Sequence, residues 1–535
     1  MSDEFDFVVV GGGSGGCAVA GRLSEDPATS VALLEAGGKD DNWVVTTPGA
    51  MILMISGKVN NWAFNTVPQP GLNGRIGYQP RGKGLGGSSA INAMVYISGH
   101  QSDYDHWASL GNTGWSYSDV LPFFKRSENN TEFDGEYHGK GGPLNVTRLR
   151  SDNPVQEMYL QAARELQWPI RDDFNGPEQE GLGIYQVTQK NGERWSAARG
   201  YIHPHMGKRA NLRVETQAYA TRIPFEGKRA VGVEYTKGNE TKQIRARREV
   251  IVSSGAFQTP QLLMLSGVGD AAALQKHGIT SVHHLPGVGK NLQDHPDFVF
   301  GFTSDSPYFA GLSFGGIARI FKGIAQFRRE RRGPMTSNVA EAGGFLRTRP
   351  DLAAPDIQLH FCMAMVSDHG RQPRWGTGFS CHVCVLRPKS HGSVWLQSAD
   401  PKQAPAIDPN FFGEEEDLET MVAGFKMTRR LLETPSLKAL QTSDVFTANV
   451  HTDDDIRKVL RERVDTVYHP VGTCKMGVND PLAVVDPQLK VHGMDGLRIA
   501  DASIMPTLIG GNTNAPTIMI GEKAADMIHN TARPH

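Results

Sequence analysis

The chain has 535 residues, 39% hydrophobic and 21% charged, which is enough to bury a core that encloses a cofactor. Its 55 basic residues against 57 acidic ones leave a net charge of −2, so there is no electrostatic ground for a nucleic-acid partner. Five cysteines, an odd number, make no disulfide framework.

The amino-terminal residues Met1-Ser2-Asp3-Glu4-Phe5-Asp6 are acidic and run straight into a strand signal, without a signal peptide. Phe7-Val8-Val9-Val10 suits a buried parallel strand, and Gly11 to Gly16 form a Gly-rich turn. Cys17 to Leu23 carry small and apolar residues at helical spacing. Val31-Ala32-Leu33-Leu34 is a second strand that closes on Glu35, completing one βαβ unit in about thirty residues. From Pro48 to Gly84 the chain is rich in Gly, Pro and Asn and reads as a long irregular excursion held by something bound.

A mixed unit covers about 145 to 200, and strand signals return at Leu212-Arg213-Val214 and at Glu249 to Ser253. Between about 300 and 455, alternating stretches such as Ile357 to Phe361 and Ser393 to Leu396 suggest an antiparallel sheet with one covered face. Cys381 and Cys384 form a C-x-x-C in such a stretch, with no second pair to close a zinc site, so they read as core and no metal is expected. The basic run Arg328 to Arg332, broken by Glu330, reads as a solvated turn. An apolar helix is expected from Pro516 to Ile528. No stretch reaches the ~18 apolar residues of a membrane span, so the chain reads as cytoplasmic or at most peripherally attached to a membrane.

Gly11-x-Gly13-x-x-Gly16, after a strand and before a helix, is the dinucleotide fingerprint. Gly11 permits the tight turn, Gly13 admits a pyrophosphate and Gly16 lets helix and strand pack closely. The helix amino terminus that follows offers free N–H groups to phosphates. Glu35 stands where an acid accepts from ribose hydroxyls, which fits both NAD and FAD.

Further motifs separate those two. Arg81-Gly82-Lys83-Gly84-Leu85-Gly86-Gly87-Ser88-Ser89-Ala90-Ile91-Asn92 is a second Gly/Ser-rich run, and Gly255 to Gly269 forms a long signature after a strand. His469-Pro470-Val471-Gly472-Thr473 and Asp501-Ala502-Ser503-Ile504-Met505-Pro506 complete the set. In these residues the sequence resembles the glucose–methanol–choline (GMC) oxidoreductase family, from Phe5 to about Ile528.

The resemblance implies an α/β (α+β) architecture: a Rossmann-like FAD-binding domain interleaved with an antiparallel-sheet substrate-binding domain. The expected segments are 1–145, 205–300 and 455–535 for FAD, and 146–204 and 301–454 for substrate. It implies FAD contacts at Gly11, Gly13, Ser14, Gly16, Glu35, Ala36, Arg81, Gly86, Ser88, Asn92, Ala93, Met94, Val95, Ala220, Asp501, Ala502, Asn512 and Thr513. Ile91 stands where some members carry the His that binds FAD covalently, so a non-covalent flavin is expected.

His469 is the expected base that takes the alcohol proton while the flavin takes the hydride. Asn514 matches the family's second catalytic position, with Asn512 as its rival. Glu341, Met363, Met365, Val467 and Tyr468 are the expected substrate-pocket residues. The segment Cys362 to Val366 lacks aromatics, which disfavours a caged quaternary ammonium and favours a primary alcohol with an uncharged, flexible tail. The chain is similar to the alkan-1-ol and polyethylene glycol dehydrogenase branch, with a quinone-like electron acceptor expected. An H2O2-forming oxidase, a choline dehydrogenase and an FAD-containing lyase remain alternatives. The residues do not fix an oligomeric state.

Overall fold

The computed structural model describes residues 3–372 and 374–531. Met1, Ser2, Pro373 and residues 532–535 belong to segments assigned above and lie outside the described residues.

Strand β1 (Glu4–Val10), helix α1 (Ser14–Leu23) and strand β2 (Val31–Glu35) form the opening unit. β1 and β2 run parallel with Val10 opposite Leu34. Leu212–Thr216 flanks β2, and the long strand Glu240–Val252 flanks β1 with Val252 opposite Val10. Both pairings are parallel. Gly232–Lys237 and Tyr219–Arg222 extend the sheet antiparallel, and Leu497–Ile499 pairs parallel with the end of Glu240–Val252, giving seven strands. Phe7 to Val10 and Val31 to Leu34 are buried because this sheet has helices on its faces, which explains why its strands read as continuous apolar runs.

The last helix, Asn514–Thr531, packs on α1. Gly521 and Gly15 let the two backbones meet: a Cβ on Gly521 would lie 2.5 Å from the Gly15 carbonyl oxygen. The fully buried Glu522 accepts from Arg22 Nε (2.9 Å), Arg126 Nε (2.7 Å) and Tyr201 Oη (2.6 Å). Removing one partner from such a buried charge cluster costs more than an exposed pair would.

The second sheet has eight strands, among them Gly181–Ile184, Ala340–Leu346, Ile357–Cys362, Gly376–Val385 and Pro296–Thr303, joined antiparallel. Alternation along Ile357–Cys362 divides its side chains. Ile357, Leu359 and Phe361 enter a core with Leu418, Met421, Val422 and Phe425 of the helix Glu415–Leu432. Gln358 and His360 point the other way, toward Asn512. Each buried aliphatic or aromatic side chain on the helix-covered face contributes roughly 1.5–3 kcal/mol.

Pro296–Thr303 crosses the expected segment boundary at 300 and belongs to the second sheet, as does Asp465–Thr466 at its edge. The helix Val155–Glu165, read above only as part of a mixed unit, covers the same sheet. All five cysteines are buried and free, and Cys381 and Cys384 fall in different clusters of the core because an odd spacing puts them on opposite faces of one strand. Among the described residues no group of side chains could hold a metal ion, and no helix is long and apolar enough to cross a membrane.

Candidate active site

A long cavity runs between the two sheets, from Gly11 and Glu35 to His360, His382 and His469. At its first end Gly11 has φ +101°, and a Cβ there would sit 2.4 Å from the Ser253 carbonyl oxygen. A Cβ on Gly16 would lie 1.9 Å from the Gly11 carbonyl oxygen, so any side chain would push the turn off the helix. Helix α1 has no side-chain cap, which leaves its first N–H groups for an anion. Glu35 is buried at the end of β2 and accepts from the N–H groups of Gly12 (2.9 Å) and Gly37 (2.7 Å). Burial outweighs these bonds and pushes its pKa up to about 7.

Of the residues expected to touch FAD, Gly11, Gly13, Ser14, Glu35, Ala36, Arg81, Ser88, Asn92, Ala93, Met94, Val95, Ala220, Asp501, Ala502, Asn512 and Thr513 all line this one cavity. Gly16 and Gly86 do not. They allow the backbone to close, Gly86 with φ +85° beside Ser196. Asn92 Oδ1 accepts from the Met94 N–H (3.0 Å) and from the buried Arg194 Nη1 (2.8 Å), which fixes the 92–95 turn. Asp501 accepts from the Gly255 N–H (2.8 Å) and Thr259 Oγ1 (2.6 Å), pinning two cavity walls together. A Gly-lined turn, an uncapped helix end and a buried acid two strands from a Ser-rich loop fit a dinucleotide cofactor.

At the far end His469 is buried. Its backbone N–H donates to Asp294 Oδ1 (2.9 Å), its Nδ1 lies 3.0 Å from His295 Nδ1, and its Nε2 lies 3.2 Å from Asn512 Nδ2. The proton positions follow from the hydrogen-bond network. His295 Nε2 lies 3.1 Å from the Leu386 carbonyl oxygen, an acceptor only, so this nitrogen carries the proton. Burial pushes the His295 pKa down to about 3, so its Nδ1 is bare and accepts from His469 Nδ1–H. His469 is left with a lone pair on Nε2, the atom beside Asn512.

Burial first, then His295, His360 and Arg81, hold the His469 pKa well below the ordinary imidazole value, so the ring is neutral. Asn512 Oδ1 accepts from Gln358 Nε2 (2.9 Å), which turns its amide NH2 toward His469 and toward His360 Nε2 (3.4 Å). The Asp294 carboxyl also accepts from Thr466 Oγ1 (2.5 Å), and Arg81 Nη2 donates to the Tyr468 carbonyl oxygen (2.6 Å), so the 466–469 turn is held from two sides. Met94, Val339 and Tyr468, all in the cavity wall, have φ of 58°, 69° and 76°. Such left-handed backbones outside glycine cost of order 1–3 kcal/mol and gather at functional sites.

Asn514 does not sit beside His469 in this arrangement. Its Oδ1 accepts from Ser14 Oγ (2.7 Å), joining the first turn of the last helix to the first turn of α1, and Asn512 takes the position facing the imidazole. Three of the five expected substrate-pocket residues also lie elsewhere. Glu341 is fully buried on the helix-facing side of its strand, where its Oε2 accepts from Gln156 Nε2 (2.7 Å). Met363 packs into the helix-covered core, and Met365 lies outside the cavity lining.

Val467 and Tyr468 do line the cavity, with Met51, Ile52, Ile55, Val339, Cys362 and Val366. The lining's only carboxylates among the described residues, Glu35 and Asp501, belong to its dinucleotide half. Sequence reading missed His295, Asp294 and Gln358. The run Asn291-Leu292-Gln293-Asp294-His295-Pro296, polar and placed directly before a strand, was the available signal.

Sequence models of the GMC oxidoreductase family match residues 5–297 and 388–521. The chain is 48% identical over 528 residues to an alcohol dehydrogenase [acceptor] of Pseudomonas putida, covering 98% of this chain and 95% of that one. It is 42% identical over 535 residues to the mitochondrial choline dehydrogenase of Homo sapiens, covering 98% and 90%. Among solved structures, a pyridoxine 4-oxidase from Mesorbium loti superposes with a TM-score of 0.89 at 28% identity, over 99% of this chain and 100% of that one. A formate oxidase variant of Aspergillus oryzae RIB40 superposes with a TM-score of 0.91 at 28% identity, over 99% of each. The likeness therefore runs through both sheets and the cavity between them, and the chain belongs to the GMC oxidoreductase family, with FAD as its cofactor.

Proposed function

We propose that this protein oxidises a primary alcohol with an uncharged, flexible tail to the aldehyde and passes the electrons to an acceptor other than O2. The observation that carries the reading is the neutral His469, with Nε2 unprotonated and beside the Asn512 amide in the cavity wall. In this reading the substrate hydroxyl donates to His469 Nε2, which removes its proton as the C–H bond breaks and so avoids a protonated carbonyl. Asn512 Nδ2 donates to the same oxygen and steadies its developing charge without competing as a base. His295 accepts from Nδ1–H throughout and stabilises the imidazolium as it forms. Bound FAD supplies the acceptor for the carbinol hydride.

Gly11, Gly13, Ser14 and Asp501 would hold the pyrophosphate region, Glu35 the ribose, Ala220 the adenine, and Asn92 to Val95 with Thr513 the flavin end. Ile91, an aliphatic residue in the lining, offers no atom for a covalent flavin bond, so the cofactor is held non-covalently. The tail would lie against Met51, Ile52, Ile55 and Val366. A trimethylammonium group would meet neither a carboxylate nor an aromatic cage there, which favours a neutral alcohol over choline. The relative named for an unspecified acceptor supports electron transfer to a separate acceptor molecule, taken here as quinone-like.

Anaerobic mixing of the holoenzyme with 1-butanol, benzyl alcohol and choline tests this. Bleaching of the visible flavin absorbance by the two neutral alcohols and not by choline is expected, with slow recovery in air. Bleaching by choline alone, or fast recovery in air, overturns the corresponding half of the reading.

A further inference from the structure

The helix Phe314–Glu330 is built inside out. Ser313 caps it, its Oγ accepting from the Gly316 N–H (3.0 Å). Successive residues rotate by about 100°, so Phe314, Ile317, Ala318, Phe321 and Ala325 share one stripe. An apolar stripe ordinarily faces the core, yet Phe314 is 85% exposed and Phe321 69%, with Ile317, Ala318 and Ala325 also exposed.

The side that packs on the protein carries Gly316, Gly323 and Phe327. A Cβ on Gly323 would come 3.6 Å from Met335 in the turn Pro334–Thr336. Trp375, 66% exposed, adds its ring edge to Phe314 at 5.4 Å, and Leu312, bridged to Trp375, is exposed beside it. Large apolar groups gathered this way on a surface mark a docking face.

Charge indicates the partner. Between Ser313 and Gly333 there are six basic residues, Arg319, Lys322, Arg328, Arg329, Arg331 and Arg332, against the single acid Glu330, in a chain whose net charge is −2. Arg329, Arg331 and Arg332 pair with Glu330, Glu193 and Asp152. Arg319, Lys322 and Arg328 form no ion pair among the described residues. A second copy of the chain would bring these like charges face to face, because a two-fold contact repeats the same patch on both sides. An anionic lipid surface accepts both features, taking the aromatic stripe into the headgroup boundary and the basic flanks onto its phosphates.

We infer that the stripe Phe314–Ile317–Phe321, with Trp375 and the basic flank Arg319, Lys322 and Arg328, docks this protein in the plane of an anionic membrane. Val366 and His369 line the cavity, and Trp375, six positions after His369, lies in the patch. An alcohol or an electron acceptor dissolved in lipid would thus meet the enzyme on the side where the 366–369 turn forms part of the cavity wall. This inference stands independently of the substrate reading.

Flotation of the holoenzyme with vesicles of phosphatidylcholine, alone or mixed equally with phosphatidylglycerol, at low and high salt, tests it. The holoenzyme is expected to float with the mixed vesicles and to be released by salt. Phe314→Ser/Phe321→Ser should weaken partitioning by about tenfold or more, with melting temperature and alcohol turnover in vesicle-free buffer unchanged. Lys322→Glu/Arg328→Glu should abolish the preference for the anionic vesicles. No flotation with either vesicle, or flotation that both variants leave intact, overturns the inference. Light scattering that gives a dimer for the unchanged chain and a monomer for Phe314→Ser/Phe321→Ser also overturns it, assigning the face to a second copy.

Discussion

The Nδ1 atoms of His295 and His469 lie 3.0 Å apart, and the proton between them belongs to His469 because the Leu386 carbonyl holds the single ring proton of His295 on Nε2. A backbone oxygen outside the cavity thereby determines which nitrogen of His469 is free to act as a base. Replacing His295 with Ala should lower kcat by about 10-fold or more while flavin content stays constant, because the acceptor that sets the tautomer and orientation of the reacting imidazole is gone. His295→Gln, whose Oε1 can accept from Nδ1–H, should recover part of it. Stopped-flow reduction of the bound flavin by alcohol measures both, and equal rates in His295→Ala and the unchanged enzyme would refute the tautomer argument.

His469 itself is the group that takes the proton in this reading. His469→Ala should lose about 10²–10⁴-fold in kcat and remain yellow. Turnover close to that of the unchanged enzyme would remove the proposed mechanism.

The pH dependence follows from the direction of the His469 shift. Burial first, then the neighbouring His295, His360 and Arg81, push its pKa below the ordinary value near 6.5, so the neutral, active form persists at neutral pH and is lost only as pH falls through the depressed pKa. The acid limb of the kcat/KM profile for alcohol should therefore lie below about pH 6.5. An acid limb near pH 7 or above would mean that the ring is not desolvated as described.

Asn512 and Asn514 separate two roles that one motif leaves together. Asn512→Ala should lower kcat by about 10-fold or more if its amide, 3.2 Å from His469 Nε2, donates to the substrate oxygen as proposed. Asn514→Ala should leave kcat nearly intact and cost about 1 kcal/mol of stability through the lost Ser14 bond. Melting curves beside single-turnover rates distinguish the pair, and the reverse pattern would return the catalytic role to Asn514.

Glu341 gives a stability prediction. Burial raises its pKa, so the folded state binds its proton more tightly than the unfolded state does. Its contribution to stability is therefore full below the ordinary carboxyl range and is lost as pH rises through the raised pKa. Glu341→Gln, which cannot ionise, should lessen the fall in melting temperature between pH 5 and pH 8 and leave the ratio of butanol to choline turnover unchanged. A changed ratio would place the carboxylate in contact with substrate.

Much of this site was legible because its chemistry is carried by short runs whose geometry is local. Gly11 to Gly16 with Glu35, and the residues around Asn92, Asp501 and His469, were found from spacing and resemblance, and the cavity gathers nearly all of them. The differences arise from relationships that no local run reveals. Whether Glu341 and Met363 face the cavity depends on strand register and on which face the helix Glu415–Leu432 covers, and a shift of one residue reverses the answer. Asn512 and Asn514 lie two residues apart at a helix start, both in the cavity lining, where one side chain meets His469 and the other meets Ser14. His295 was invisible because its importance lies in what it accepts from a residue 174 positions away.

The last helix also constrains how the protein is made. Glu522 closes a cluster with Arg22, Arg126 and Tyr201, and Asn514 completes the wall begun by Ser14, 500 positions earlier. During synthesis the cofactor cradle has its floor within the first forty or so residues and gains its closing wall only when residues 514–531 leave the ribosome. Until then the apolar face of α1 lacks the helix that covers it.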